Sequence, residues 1–287
     1  MALALVTGTS SGIGLATAVA LARAGHTVAA TMRNLDGGAA IRKIAAAEKL
    51  PIHLAALDVD DDASVREAFS RVVAQLGPID VLVNNAGVPG SGFVVEEAPL
   101  ETFRQVMETN FFGGLRCIKA VISSMRERRQ GTIVNVTSVA GRIALAGHAP
   151  YAASKWAFEA LSESLAQEMR AFNVRVVIVE PGVIATSIQK KAAPLLPGSA
   201  YPHGKRLRAL LAASLAKPAS PSVVGDLIRD IVDGDDWRLR YPAGPGAAPM
   251  LKSRASKTDE QVILEAAQSD DEFVARIKRE SGLDLAL

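Results

Sequence analysis

Cysteine is almost missing from this 287-residue chain, in which Cys117 stands alone. No intramolecular disulfide can form, and a reducing compartment, the cytoplasm, is the expected location. Net charge is equally scarce. Lysine and arginine number 32 against 30 aspartates and glutamates, and a formal charge of +2 gives no ground for a nucleic-acid partner. No apolar run approaches the roughly 18 residues of a membrane-crossing helix, so no membrane partner is expected. The apolar start, Met1 to Val6, has no basic segment before it and runs at once into Thr7-Gly8, unlike a secretory signal. His26, His53, His148 and His203 lack metal-ligand spacing, and no metal site is expected. Cys117 has no histidine beside it and reads as a small packed residue. Solenoid-period repeats and low-complexity linkers are absent too.

What is present is mostly apolar. The chain is 49% hydrophobic and 22% charged, which suffices for a substantial core. Short apolar runs at residues 2–6, 27–32, 52–57, 79–83, 132–136 and 174–179 read as strands. Helix-length patterns lie between them, at residues 12–23, 63–75, 100–126 and 151–172. Strands as continuously apolar as Val176 to Val179 are covered on both faces. The alternation predicts an α/β fold, a parallel sheet with helices on each side. Residues 186–218, rich in proline, have the length and irregularity of a substrate lid. Residues 246–287 form a C-terminal helical extension, with two short helices expected. The second opens at Ser269-Asp-Asp-Glu272, a capping-box pattern. The remainder, residues 1–245, reads as one dinucleotide-binding catalytic domain.

The turn Thr7-Gly8-Thr9-Ser10-Ser11-Gly12-Ile13-Gly14 joins the first strand to the first helix. Glycines there let backbone approach a pyrophosphate, and the helix start offers unpaired N–H groups to it. Taken alone, such a turn can be purely structural. In dinucleotide folds an acid near the end of the second strand binds the ribose 2′-hydroxyl. Here Met32 fills that place and Arg33 follows. The arginine suits the 2′-phosphate of NADP, whose oxygens its planar fork can bind in pairs. Its alternative is an ordinary solvated charge. Asp36 falls at about the right count but beside Gly37-Gly38, where aspartate starts turns or caps helices. NADP(H) is favoured over NAD.

Tyr151 and Lys155 stand four residues apart on one helical stretch and share a face. Ser138 follows the fifth strand, and Asn110 lies in the long fourth helix. With these residues the chain resembles the short-chain dehydrogenase/reductase family. The likeness rests on the Thr7-to-Gly14 turn, Asp58, Asn84-Asn85-Ala86-Gly87, Asn110, Ser138, Tyr151, Lys155 and Pro181-Gly182. It spans about residues 2–190, and the diffuse likeness of one branch is to hydroxysteroid and retinol dehydrogenases. The resemblance implies a Rossmann-type doubly wound sheet of seven parallel strands, with the last at residues 238–241. It implies a catalytic set of Asn110, Ser138, Tyr151 and Lys155. It also implies a nicotinamide cofactor held by Gly8, Ser10, Ser11, Gly12, Ile13, Gly14, Arg33, Asp58, Val59, Asn85, Ala86, Gly87, Tyr151, Lys155, Pro181, Gly182, Ile184 and Thr186. Asn85 and its neighbours would approach the adenosine side and Asp58 the adenine. Lys155 would bind the nicotinamide ribose, and Asn110 would hold a water linking Lys155 to solvent.

The residue types suit the chemistry. Hydride delivery to a ketone leaves an alkoxide that needs a proton, and tyrosine near pKa 10 gives it up reluctantly at neutral pH. Making it cycle there needs about 4 kcal/mol of differential stabilisation, which Lys155 and the oxidised nicotinamide can share. Ser138 would hydrogen-bond the substrate oxygen. Val88, Phe93, Ile143, Leu145, Ile184, Leu195 and Leu196 are expected around the pocket, so the expected substrate is an apolar secondary alcohol or ketone. The competing readings are a 3-oxoacyl-thioester reductase and, in another class, an NADP-sensing regulatory or scaffold protein. Lys190-Lys191 and Lys205-Arg206-x-Arg208 fit either the attraction of an acidic carrier or a coenzyme A phosphate or, equally, the solvated charges of a lid. Family resemblance implies a homodimer or homotetramer built through the long fourth and fifth helices.

Overall fold

In the computed structural model, which describes residues 1–90, 94–186, 199–216 and 218–287, the apolar runs become the strands of a single sheet. These are β1 (Leu3–Thr7), β2 (Thr27–Met32), β3 (Ile52–Ala56), β4 (Val81–Asn84), β5 (Gly131–Val136), β6 (Val174–Pro181) and β7 (Arg240–Ala243). Their spatial order is β3-β2-β1-β4-β5-β6-β7, and every pairing is parallel. The seven-stranded, doubly wound architecture is therefore as expected. The order reverses between β1 and β4, and the crevice at such a switch point is where open α/β sheets bind ligands.

The helices are α1 (Gly12–Arg23), α2 (Ala39–Glu48), α3 (Asp62–Leu76), α4 (Leu100–Met107), α5 (Gly113–Arg128), α6 (Ala149–Arg170), α7 (His203–Ser214), α8 (Pro221–Asp233), α9 (Ala247–Ala255), α10 (Asp259–Ala266) and α11 (Asp270–Ser281). One apolar layer joins Phe69 of α3, Met125 of α5 and Phe158 of α6 to Leu5, Leu82 and Ile133. The other joins Leu21 of α1, Ile41 of α2 and Ile228 of α8 to Val28, Val83 and Val177. All eight residues of β6 are buried, which is why its sequence shows no polar alternation. No helix among the described residues is long and apolar enough to cross a membrane.

Several boundaries differ from expectation for local reasons. The helix read as residues 100–126 is interrupted by a π-helical turn, Glu108–Phe112, between α4 and α5. The last strand starts two residues late because the Asp236 carboxylate accepts a bond from the Arg238 N–H, while Arg175 takes the carbonyls of Gly234 and Asp236. The C-terminal extension contains three helices, not two. Both Thr258 and Ser269 build reciprocal capping boxes that start α10 and α11, each satisfying first-turn N–H groups that would otherwise be unpaired. Part of the expected lid folds as α7, while Phe93, Lys190, Lys191, Leu195 and Leu196 lie outside the described residues.

Candidate active site

The glycine turn at the end of β1 is shaped by two left-handed glycines, Gly8 at φ +72° and Gly12 at φ +60°, a conformation side chains rarely adopt. Gly14 is needed for contact. A Cβ there would overlap the Gly8 carbonyl oxygen and stand 2.5 Å from the Asn85 side-chain nitrogen. Ser11 is the N-cap of α1 but makes no side-chain cap bond, so the helix start keeps first-turn N–H groups for an anion. Thr186, beyond β6, faces Gly12 across 3.2 Å measured to a built Cβ. A cradle that a Cβ would fill, at a helix start and a sheet switch point, fits a dinucleotide pyrophosphate.

Asn84 to Gly87 lie directly beside this turn. The Asn85 side chain does not project outward; its Nδ2 donates to the carbonyls of Thr7 at 2.8 Å and Gly8 at 3.3 Å. It braces the turn from the side of β4. Ala86 donates its N–H to Thr7 Oγ1 at 2.9 Å, and Gly87 lies within reach of Asn110 and Lys155.

Tyr151 and Lys155 project from the first turns of α6, which begins at the N-cap His148 with Pro150 in its first turn. Lys155 is 4% exposed, and its Nζ donates to the Val136 carbonyl at 3.1 Å and sits 5.7 Å from the Tyr151 ring centre. Ser138, just past β5, is within hydrogen-bonding contact of the Tyr151 hydroxyl. Its Oγ accepts from the Ala140 N–H at 3.1 Å and donates to the Pro181 carbonyl at only 3.4 Å. A bond that long is weak. Asn110 sits in the π-helical turn with its side chain occupied. Its Oδ1 accepts from the Val88 N–H, and its Nδ2 donates to the Val88 carbonyl and Ser154 Oγ.

Burial dominates the charges. It pushes the Tyr151 phenol up to about 12, with the Ser138 hydrogen bond acting downward, and the Lys155 ammonium down to about 8, with Glu159 acting upward. Burial likewise raises the Cys117 thiol to about 12, which makes it inert as a nucleophile.

A second polar cluster behind the catalytic set was missed in the sequence. Glu159, one helical turn beyond Lys155, accepts from Thr137 Oγ1 at 2.6 Å and from Arg240 Nε at 2.9 Å. Glu180 on β6 is 1% exposed, 3.7 Å from Arg142 and 4.0 Å from Arg240. Burial, and then Glu159, raises its carboxyl to about 7. The i, i+4, i+8 spacing of Tyr151, Lys155 and Glu159 was a visible signal, since such residues share a helix face. His148, three residues before Tyr151 on the chain, stacks its ring on it.

The remaining expected positions divide. Met32 is 3% exposed at the end of β2, and Arg33 beyond it is exposed. Asp36 sits in a short 3-10 turn, its N–H bonded to Asn34 Oδ1 at 2.8 Å. Asp58 Oδ1 accepts from the Asp60 N–H, and Val59 is buried against Gly113. Pro181 ends β6, and the Gly182 N–H bonds the Ala243 carbonyl at 3.0 Å. Ile184 is 2% exposed within the core, so its side chain does not line an open pocket. The basic segment 205–208 is also used internally. Arg206 is 5% exposed and bonds Asp270 and the carbonyls of Ala266 and Gln268, while Lys205 pairs with Asp270. Among the described residues, no group of three histidine, cysteine or acidic side chains could hold a metal.

Known proteins share these features. A family profile described as short chain dehydrogenase matches residues 2–195. The chain is 37% identical over 262 residues to the uncharacterized oxidoreductase YusZ of Bacillus subtilis, covering 88% of this chain and 92% of that protein. It is 43% identical over 203 residues to retinol dehydrogenase 8 of Bos taurus, covering 69% of this chain and 64% of the bovine protein. A crystal structure of a short-chain dehydrogenase from Streptomyces avermitilis superposes with a TM-score of 0.78 at 31% identity, covering 98% of both chains. The glycine cradle, the Ser138–Tyr151–Lys155 cluster and these matches together place the chain in the short-chain dehydrogenase/reductase family, as an NAD(P)-dependent oxidoreductase.

Proposed function

We propose that this enzyme is an NADP(H)-preferring oxidoreductase that interconverts an apolar secondary alcohol and its ketone, with Tyr151 as general acid and base. The observation that carries the reading is the convergence of Ser138 and Lys155 on the Tyr151 ring, beside the glycine cradle. A bound reduced nicotinamide supplies the hydride. Tyr151 donates its phenolic proton to the carbonyl oxygen, and Ser138 donates a hydrogen bond to that oxygen as charge develops on it. The Lys155 ammonium, buried near the phenol, favours the phenolate left behind. In the oxidative direction the same groups act in reverse.

The preference for NADP(H) is supported by Met32, buried where an acid would contact the ribose, and by the exposed Arg33 next to it. The apolar nature of the substrate is inferred from Val88, Ile143 and Leu145, the described residues that the sequence leads one to expect around the pocket. Assembly as a homodimer or homotetramer is supported by the exposed rings of Phe112 and Trp156 near the π-helical turn and on α6.

Tyr151→Phe is expected to lower turnover by at least about a hundredfold while NADPH binding persists. Unchanged turnover would sink the mechanism, and a regulatory protein would show no turnover to lose. Dissociation constants for NADPH and NADH, before and after Arg33→Ala, test the cofactor preference. Tighter binding of NADH by the unaltered chain would reverse it. A screen of NADPH oxidation against steroid, retinoid, aromatic-ketone and oxoacyl substrates separates the apolar ketone from the 3-oxoacyl thioester.

A further inference from the structure

His148 lies face to face with Tyr151. The ring centroids are 4.9 Å apart and the planes differ by 15°. Among the described residues no other aromatic ring packs on the phenol. The backbone that presents the imidazole is held at several points. Gly147 adopts φ +81°, a left-handed turn that leads into the helix, and packs on α7 at His203 and Leu207. The His148 N–H donates to the Leu145 carbonyl at 3.1 Å, and its carbonyl accepts from the Ala152 N–H at 2.9 Å. The Tyr151 backbone is equally fixed, with its carbonyl accepting from Ser154 Oγ at 2.7 Å and its nitrogen packed near Gly90.

These contacts fix where the phenol oxygen lies but not how its ring is turned. Rotation about the Cβ–Cγ bond leaves the oxygen in place, because the oxygen lies on that axis. It does turn the hydroxyl proton, which conjugation keeps near the ring plane. The ring plane therefore sets the line along which the proton is handed over, and proton transfer depends on that alignment. A stacked neighbour fixes a plane in a way that an aliphatic contact does not.

Resting on the functional reading above, we propose that His148 is a positioning residue for Tyr151, whose stacked ring sets the plane of the phenol and so aims its proton at the substrate oxygen. Burial holds the imidazole down to about 4, so at neutral pH it stacks as an uncharged ring and adds no competing charge.

Three variants, His148→Leu, His148→Phe and Tyr151→Phe, test this on the full chain with NADPH and 9,10-phenanthrenequinone as the carbonyl probe. His148→Leu keeps apolar bulk but loses the plane. It is expected to lower kcat about tenfold or more, with KM for the quinone and NADPH affinity little changed. His148→Phe is expected to recover most of that loss. If His148→Phe is as slow as His148→Leu, or if His148→Leu matches the unaltered chain, the proposal is overturned. Tyr151→Phe separates the two claims. Full turnover by that variant removes the functional reading and this inference with it, whereas an inactive Tyr151→Phe beside an unaffected His148→Leu removes the inference alone. A substrate-free readout comes from carbon-13-labelled tyrosine, of which the chain has three. The ring signals that vanish in Tyr151→Phe are expected to move in His148→Leu and stay near their place in His148→Phe, with Tyr201 and Tyr241 unmoved as a control on folding. Tyr151 signals that ignore His148→Leu overturn the stack itself.

Discussion

Asn85 bolts the end of β4 to the end of β1 through Thr7. Its Nδ2 donates to the Thr7 carbonyl at 2.8 Å, and the Thr7 hydroxyl accepts the Asn85 N–H at 2.9 Å. The glycine turn after β1 is therefore braced from β4, and Gly14 lies where that bracing is tightest. Gly14→Ala would drive a methyl group into the Gly8 carbonyl and the Asn85 amide. It is expected to weaken NADPH binding at least about tenfold and to cost about 2 kcal/mol of stability. Fluorescence titration and urea denaturation measure the two separately. Normal NADPH affinity in Gly14→Ala would refute the cradle.

Lys155 makes stability depend on pH in a direction that can be derived. Burial holds its folded pKa at about 8, below the ordinary 10.5. Between those values the unfolded chain binds more protons, so stability rises with pH across that window, and the penalty is complete below about pH 8. Lys155→Met is expected to abolish turnover yet stabilise the fold at pH 7, by at most about 3 kcal/mol. The gain should disappear above about pH 10.5. A gain equal at pH 7 and pH 11 would point to packing instead of charge.

Glu180 acts with the opposite sign. Its folded pKa is about 7, above the ordinary 4.5, because of burial and then Glu159. The folded chain binds the extra proton between those values, so stability falls as pH rises from about 4.5 to 7. Glu180→Gln keeps the shape without the charge. It is expected to match the unaltered chain at pH 4 and to exceed it at pH 8, by no more than about 3 kcal/mol. Thermal melting at the two pH values decides the matter, and an identical difference at both would remove the carboxyl from the account.

Arg206 fastens α7 to the C-terminal extension. Its Nε reaches Asp270 at 2.7 Å and one terminal nitrogen reaches the Gln268 carbonyl at 2.8 Å, while the guanidinium lies 5.3 Å from the Phe273 ring. Removing the side chain leaves those carbonyls without their donors, at about 2 kcal/mol. Arg206→Ala is therefore expected to loosen α7, α10 and α11 while the sheet stays intact. Hydrogen exchange should rise severalfold in those helices and remain unchanged in β1, β4, β5 and β6. Uniform protection across the chain would mean that the bonds carry little.

Much of the fold is written locally. Alternation of apolar runs with helix-length patterns marks each of the first six strands; those covered on both faces, such as β1 and β4, are apolar almost throughout, while the edge strand β3 leaves His53 and Ala56 exposed. The seventh was placed only by resemblance, and its start shifted when Arg175 and Asp236 claimed the preceding backbone. The π-helical turn at Asn110 could not be read from periodicity, since one extra residue per turn is set by the tertiary contacts of that side chain.

The sequence by itself determined the glycine turn, the shared helix face of Tyr151 and Lys155, and the order of Ser138 before them. All are matters of short-range spacing, which helix and strand geometry convert directly into position. Only the tertiary structure decided which side chains face outward. Asn85 turned inward to brace the cradle, Ile184 entered the core, and Arg206 closed on the C-terminal helices. The same holds for the Glu159, Glu180 and Arg240 cluster. There, parallel register sets Glu180 beside Pro242 and α6 brings Glu159 over the sheet, so residues 81 positions apart share one charged cluster. Such contacts depend on how strands are ordered and helices cross back, and no local spacing records that. The plane of the Tyr151 ring belongs with them. His148 stands only three residues away, yet whether two nearby rings stack is settled by the packing that holds each backbone in place.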